Sequence, residues 1–416
     1  MATGSPSSSP SGGDLIRYLQ VYRHPAGDPV DRELVAVGSG TVPKYTGEFW
    51  TPKQRQAGSI HEVSYRACFK PQLPRFFIER LTRKGDVVYD PFSGRGTTVI
   101  EAGLLGRNVI ANDANPLSRI ITEARFFPPD PASVEKRLLA IPRDGGNAEI
   151  DLSMFYHPDT EGEIVALRKY LLGRKDAARE DHIDRWIAMV ATNRLTGHSK
   201  GFFSVYTLPP NQAVSPQSQV RINRKRKQAP EYRDTSALIL AKTKSLIRTL
   251  PDDLKKNLLR AGKGARLLTG DAGETRVIPD ACVQLTVTSP PFLDIVQYSG
   301  DNWLRCWFNG LDSDAIGRQI TMARTVDEWA AVMARVFLEL FRITRPGGYV
   351  AFEVGEVRKK TVRLEEHVIP PGLDAGFACE CVLINQQAFT KTSNIWGVDN
   401  NTCGTNTNRI VVFRKT

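Results

Sequence analysis

Two short stretches of the chain combine residue types and spacings suited to chemistry. Residues 90–98 read Asp-Pro-Phe-Ser-Gly-Arg-Gly-Thr-Thr, directly after the apolar run Val87-Val88-Tyr89. A short strand that runs into Gly94 and Gly96 and then into a helix start lets backbone N–H groups approach a bound ligand closely. Residues 289–292 read Ser-Pro-Pro-Phe at the end of the apolar run Val283–Thr288. They offer a small hydroxyl, two rigid residues and an aromatic ring on which a planar group can stack. Alone, the first stretch could be a strand–turn–helix with packing glycines, and the second a Pro-rich strand end with a core Phe.

Together the two stretches resemble motifs I and IV of the amino-directed, S-adenosylmethionine-dependent DNA methyltransferases. The resemblance implies S-adenosyl-L-methionine as cofactor and assigns residues to it. Asp90, Pro91, Phe92, Gly94, Gly96, Thr97 and Thr98 would form the cofactor loop, with the glycines under its methionine part and Asp90 on its amino group. Asp113, at the end of the next strand, could accept both ribose hydroxyls as acidic residues do in dinucleotide folds; in the alternative it caps a helix starting near Pro116. Asp271, after Thr269-Gly270, could accept from the adenine amino group, or be an ordinary residue of a strand-end turn. Phe69 and Lys70 resemble motif X, which closes over the methionine end; helix entry and packing is their other reading. His61 is given no role.

The same resemblance makes Ser289, Pro290, Pro291 and Phe292 the reacting corner. An exocyclic amine conjugated to its ring is a poor nucleophile. A hydroxyl and a backbone carbonyl accepting its two hydrogens would push the nitrogen toward sp³ geometry, while Phe292 stacks against a base turned out of the helix. Transfer would be direct and governed by positioning, with no covalent intermediate. Ser-Pro-Pro-Phe points to cytosine N4, with adenine N6 as the alternative, since the order of motifs departs from the commonest cytosine-N4 arrangement. A methyltransferase for an exocyclic amine in RNA and a non-catalytic DNA-binding subunit are the remaining readings. No Pro-Cys pair matches the nucleophile of carbon-5 cytosine enzymes.

These residues need a scaffold, and the pattern around them supplies one. Leu73, Phe76, Phe77 and Leu81 recur at helical spacing after Lys70-Pro71. Strand Val87–Tyr89, helix Thr97–Leu105, strand Val109–Ala111 and a helix from Asn115-Pro116 then alternate as in a doubly wound parallel sheet. The rhythm returns with strands at Arg266–Thr269, Val283–Thr288 and Tyr349–Val354, with a helix over 326–344. Ala378–Phe389 and Arg409–Arg414 would pair antiparallel at the sheet edge, around an Asn/Thr-rich loop from Thr390 to Asn408. The expected fold is α/β: a doubly wound, mostly parallel seven-stranded methyltransferase sheet, Rossmann-like, with an antiparallel edge strand and a largely helical insert. The expected division is a disordered tail at 1–13, a cofactor-binding half at 14–125, a helical insert for target recognition at 126–262 and a catalytic half at 263–416.

Within the insert, helices are expected at about 160–172, 180–196 and 235–261 around an irregular segment, Gly197–Asp234. That segment holds the basic run Arg221, Arg224, Lys225, Arg226 and Lys227, read as phosphate contacts to double-stranded DNA, with Asn211, Gln212, Gln217, Gln219 and Asn223 as candidate base readers. A formal net charge of +11 and a pI near 9.4 agree with a polyanionic partner. Six scattered cysteines suit reduced thiols and no metal site. Cys379 and Cys381, two apart in a strand, would share a face. No apolar run has membrane-span length and none reads as a secretory signal, so a cytoplasmic, DNA-associated protein is expected, with a cognate endonuclease acting separately as a possible partner.

Overall fold

The computed structural model of the protein describes residues 14–23, 30–38, 40–50, 58–66, 68–208, 213–291, 298–320, 323, 325–354, 356–357, 362–387 and 406–416. Phe292, Asn211, Gln212, most of the Asn/Thr-rich loop and the tail at 1–13 lie outside the described residues.

Nine strands form one sheet: β1 (Asp31–Val37), β2 (Gly40–Gly47), β3 (Val87–Asp90), β4 (Asn108–Asp113), β5 (Arg266–Thr269), β6 (Val283–Thr288), β7 (Thr344–Val354), β10 (Ala378–Gln387) and β11 (Asn406–Arg414), while β8 (Glu356–Val357) and β9 (Val362–Arg363) form a separate ribbon. The sheet order is β1-β2-β10-β11-β7-β6-β3-β4-β5. Strands β5, β4, β3, β6 and β7 run parallel, and β11 is antiparallel to both β7 and β10. These seven match the expected sheet. The hairpin β1–β2 extends it by pairing β2 parallel to β10.

The parallel strands are short and buried on both faces, hence their continuous apolar runs. All six residues of β6 are buried. One face packs on a core including Val88, Ile100, Leu285 and Val287, the other on Tyr89, Trp329, Phe337 and Phe352. Cys379 and Cys381 prove to lie on opposite faces, because a bulge between them shifts the register against β11 and inverts the alternation.

The helices are α1 (Asp14–Val21), α2 (Gln72–Leu81), α3 (Thr97–Leu104), α4 (Leu117–Phe126), α5 (Pro131–Leu139), α6 (Pro158–Asp176), α7 (His182–Thr192), α8 (Pro216–Arg226), α9 (Thr235–Ile247), α10 (Asp252–Gly264), α11 (Tyr298–Phe308), α12 (Ser313–Gln319), α13 (Val326–Ile343) and α14 (Leu364–Asp374). Helices α5 to α10 lie between α4 and β5. The expected helix over 235–261 is two, because Pro251 cannot continue α9 and instead precedes α10. Part of the expected irregular segment is α8, started by Ser215, whose hydroxyl accepts from the Ser218 N–H, and by Pro216 at the first helical position.

Candidate active site

Asp90, Asp113, Ser289 and Glu353 stand at the C-terminal ends of β3, β4, β6 and β7. Chain order reverses between β3 and β6, the switch point at which doubly wound sheets leave a crevice.

The loop after β3 gives one wall. Gly94 and Gly96 have φ of +51° and +72°, conformations that favour glycine. Their surroundings differ. A Cβ on Gly94 would lie 3.3 Å from Cys68 Sγ and 3.7 Å from the Tyr65 ring, whereas one on Gly96 would lie 2.6 Å from Thr122 Cγ2. Gly94 therefore faces the segment at 64–68, and Gly96 presses on α4. The Gly94 N–H donates to Asp113 Oδ2 at 2.7 Å, and the Asn115 N–H to Asp113 Oδ1 at 2.8 Å. Asp113 thus ties the Gly-rich loop to the turn after β4; α4 itself starts at Pro116 without a side-chain cap. Ser93 Oγ is buried with no hydrogen-bond partner among the described residues.

Asp90 is 1% exposed and accepts from Thr288 Oγ1 at 2.7 Å and from the Phe92 N–H at 3.2 Å. Burial outweighs these bonds and lifts its carboxyl to about 7; burial likewise lifts Asp113 to about 6. The Asp90–Thr288 bond joins the Gly-rich loop to the strand that ends in Ser-Pro-Pro. Thr98 Oγ1 reinforces it by donating to the Val287 carbonyl at 3.0 Å. Thr97 Oγ1 accepts from Arg95 at 3.0 Å, Pro91 lends its carbonyl to Asn112 at 3.2 Å, and Phe92 packs on the core of the opposite face.

The second wall is the segment at 59–70. Arg95, between the glycines, donates to the carbonyls of Val63 and Phe69 at 3.1 Å each, and the buried Arg125 spans the carbonyls of Ile60 and Arg95. Ser64 N–H donates to Asn193 at 2.8 Å, and Arg66 pairs with Asp301 of α11. Phe69 is half-buried against the core, and burial beside Arg95 lowers the Lys70 pKa. His61 forms a buried pair with Glu101 of α3 at 2.7 Å, which anchors the segment.

At the third wall, the Ser289 hydroxyl hydrogen-bonds Glu353, whose carboxyl burial pushes up despite bonds from Ser289 and Asn408. Asn408 donates to Glu353 at 3.0 Å. Glu353 is 7% exposed and was not singled out from the sequence, although an acid inside Tyr-Val-Ala-Phe-Glu-Val is a visible signal. Pro290 is buried and Pro291 partly so; the Pro291 carbonyl accepts from Trp329 Nε1 at 2.9 Å.

Other sequence candidates lie further out. Asp271 follows β5 about half exposed, accepting from the Gly273 N–H at 2.8 Å and from Arg335 at 3.2 Å. Arg221, Arg224, Lys225, Arg226 and Lys227 are exposed on and just after α8, with Arg226 stacked 3.7 Å from the Tyr206 ring centre. The chain just before α8 is stitched to α11: the Ala213 N–H donates to the Asp301 carbonyl at 2.8 Å and Trp303 Nε1 to the Val214 carbonyl at 3.1 Å. Gln219 and Asn223 hold the carbonyls of Tyr206 and Met154 at 3.0 and 2.7 Å, which commits both to the fold; Gln217 is exposed.

The DNA methylase family of the N6/N4 type matches residues 30–122, which include the Gly-rich loop and Asp113. The chain resembles the amino-directed DNA methyltransferases. Type II methyltransferase M.MjaII of Methanocaldococcus jannaschii is 36% identical over 81 residues, 19% of this chain and 15% of that protein. M.BsoBI of Geobacillus stearothermophilus is 41% identical over 71 residues, 17% and 14% of the two chains. The matches therefore span less than a fifth of these relatives' length. Among solved structures, the rRNA methyltransferase aviRa of Streptomyces viridochromogenes superposes loosely, with a TM-score of 0.35 at 12% identity over 88% of this chain and 94% of that one. Among the described residues no helix is long and apolar enough to cross a membrane.

Proposed function

We propose that this protein moves a methyl group from S-adenosyl-L-methionine to an exocyclic amine of a base in double-stranded DNA, cytosine N4 in preference to adenine N6. The observation that carries this reading is the 2.7 Å bond from Thr288 Oγ1 to Asp90 Oδ1, which joins the Gly-rich loop to the Ser-Pro-Pro corner at the switch point of the sheet.

The cradle suits that cofactor. Two neighbouring buried carboxylates, Asp90 and Asp113, are held near neutrality by desolvation, and Ser93 keeps an unpartnered hydroxyl beside them. A ligand bringing an ammonium group and hydroxyl donors relieves both costs. Asp90 would hold the amino group, Asp113 the ribose and the segment at 64–70 the methionine end; Asp271 would serve the adenine from the crevice rim. The bound cofactor supplies a methyl group on a positively charged sulfur.

The chain's own groups then act on the target base. Ser289 and a backbone carbonyl of the corner accept the two amine hydrogens, and Phe292 stacks on the ring. So held, the nitrogen lone pair would take up the methyl group that the bound cofactor would supply, the displaced electron pair staying with the cofactor as leaving group. The nitrogen's surplus proton goes to Ser289 Oγ, which gives its own to Glu353. Burial raises the proton affinity of that carboxylate above an ordinary glutamate's, which suits the task. The helical insert at 126–262 would engage DNA through the basic run, positioning without reading sequence. The relatives' designation as Type II methyltransferases is consistent with an endonuclease acting separately.

The test is incubation with labelled cofactor and unmethylated duplex DNA, then mass spectrometry of the nucleosides. N4-methylcytosine supports the reading in full, and N6-methyladenine corrects the base only. Label confined to RNA, or on carbon 5, overturns it.

A further inference from the structure

We infer that Trp329 is a positioning residue for the reacting corner, acting through the Pro291 carbonyl. The inference rests on the function proposed above.

A Ser-Pro-Pro turn has a particular weakness. Neither Pro290 nor Pro291 carries an N–H; the ladder that holds β6 against β7 ends with Thr288, and the one against β3 already with Thr286. Beyond that point, among the described residues, the peptide planes whose carbonyls must meet the amine have no backbone hydrogen bond to fix their tilt. The corner is held instead by side chains from three elements. Asp90 of β3 takes the Thr288 hydroxyl, Glu353 of β7 takes the Ser289 hydroxyl, and Trp329 of α13 donates to the Pro291 carbonyl at 2.9 Å.

The third link differs from the other two. Trp329 is 2% exposed and its ring lies in the core beneath the sheet with Met333, Phe337 and Phe352. Helix α13 that carries it is started by a capping box, Thr325 with Glu328, so the indole leaves a fixed base one residue later. A buried indole N–H needs an acceptor, and here the acceptor is a carbonyl of the turn. Fixing that carbonyl sets the direction in which the Pro291 oxygen points. It also leaves the Ser289 and Pro290 carbonyls as the backbone acceptors of the corner not claimed by Trp329. The indole thus sets which way the turn presents its oxygens without touching base or cofactor.

Trp329→Phe keeps most of the packing and removes the donor. With unmethylated plasmid DNA and S-adenosylmethionine as probes, kcat should fall about tenfold or more. The cofactor Kd and the KM for DNA should stay within about twofold, and the thermal midpoint within a few degrees. Trp329→His, which keeps a ring N–H in a smaller ring, should regain part of the lost rate and carries the test should the Phe variant prove unstable. An unchanged kcat in a folded Phe variant would overturn the inference. So would a parallel loss of kcat, cofactor affinity and thermal midpoint in both variants, which marks a packing residue only. Absence of methyl transfer by the wild-type protein would instead remove the underlying reading.

Discussion

The two glycines of the Gly-rich loop should respond differently to the same substitution, and the structure gives the size of the difference. In both, an alanine must adopt a left-handed conformation, at a cost of about 1–2 kcal/mol. For Gly94→Ala little is added, since the new methyl meets Cys68 Sγ at 3.3 Å and the Tyr65 ring at 3.7 Å, tight but tolerable distances. For Gly96→Ala the methyl would sit 2.6 Å from Thr122 Cγ2 and 3.0 Å from its Cβ, with Oγ1 closer still. Helix α4 or the loop must then shift, an overpacking cost of about 1–3 kcal/mol. Gly96→Ala should therefore lose about 2–5 kcal/mol of stability, a large share of what a domain commonly has. Gly94→Ala should lose about 1–2 kcal/mol and show its main defect in cofactor affinity, because its methyl presses on Tyr65 and Cys68, next to the residues proposed to hold the methionine end. Urea unfolding, read as a shift in midpoint at constant slope, gives the stabilities, and calorimetry with S-adenosylmethionine the affinities. Thr122 supplies a control, since its hydroxyl is buried without a partner among the described residues. Thr122→Ala should cost little alone and recover part of the loss in the Gly96→Ala background, a coupling of about 1–3 kcal/mol. Equal destabilisation by the two glycine variants, or no coupling with Thr122, would refute the assignment of Gly96 to packing.

Cofactor affinity should fall as pH drops below about 7. The free Asp90 carboxyl, raised to about 7 by burial, must give up its proton to pair with the cofactor's amino group; Asp113, at about 6, adds a second slope lower down. Titration calorimetry from pH 8 to 5.5 reads this, and a slope that persists unchanged above pH 6.5 in Asp90→Asn would exclude Asp90 as its source. Glu353→Gln and Ser289→Ala should each slow methyl transfer by roughly 10²-fold or more while the cofactor Kd holds, a general-base magnitude; single-turnover rates decide it, and a Glu353→Gln rate near wild type removes the proton route. Neutralising Arg224, Lys225, Arg226 and Lys227 should weaken binding to all duplexes alike. Because Arg226 is already stacked on Tyr206, three contacts are expected and the salt slope should flatten by about 2.7. An unchanged slope would make α8 a solvated helix and move DNA elsewhere.

The sequence alone determined the local pieces, since each is written in consecutive residues. Val87–Asp90 is a short apolar strand wherever it is placed, and the glycines at 94 and 96 oblige the chain to turn after it. Thr325 with Glu328 starts a helix unaided, and the buried runs at β3, β6 and β7 read as parallel strands because both faces are covered. The hairpin β1–β2 escaped because its strands are half exposed and polar, and their place depends on β10 being there to pair with. Helix α8 escaped because its composition is that of a charged loop and its start rests on a single Ser-Pro step. What only the tertiary structure decided is the set of links between elements far apart in the chain: Thr288 to Asp90, Ser289 to Glu353, Trp329 to Pro291, and Asp113 across to Gly94. No periodicity encodes them. Each depends on which strand ends the sheet order brings side by side, and burial at that junction gives Asp90 and Glu353 their raised proton affinities.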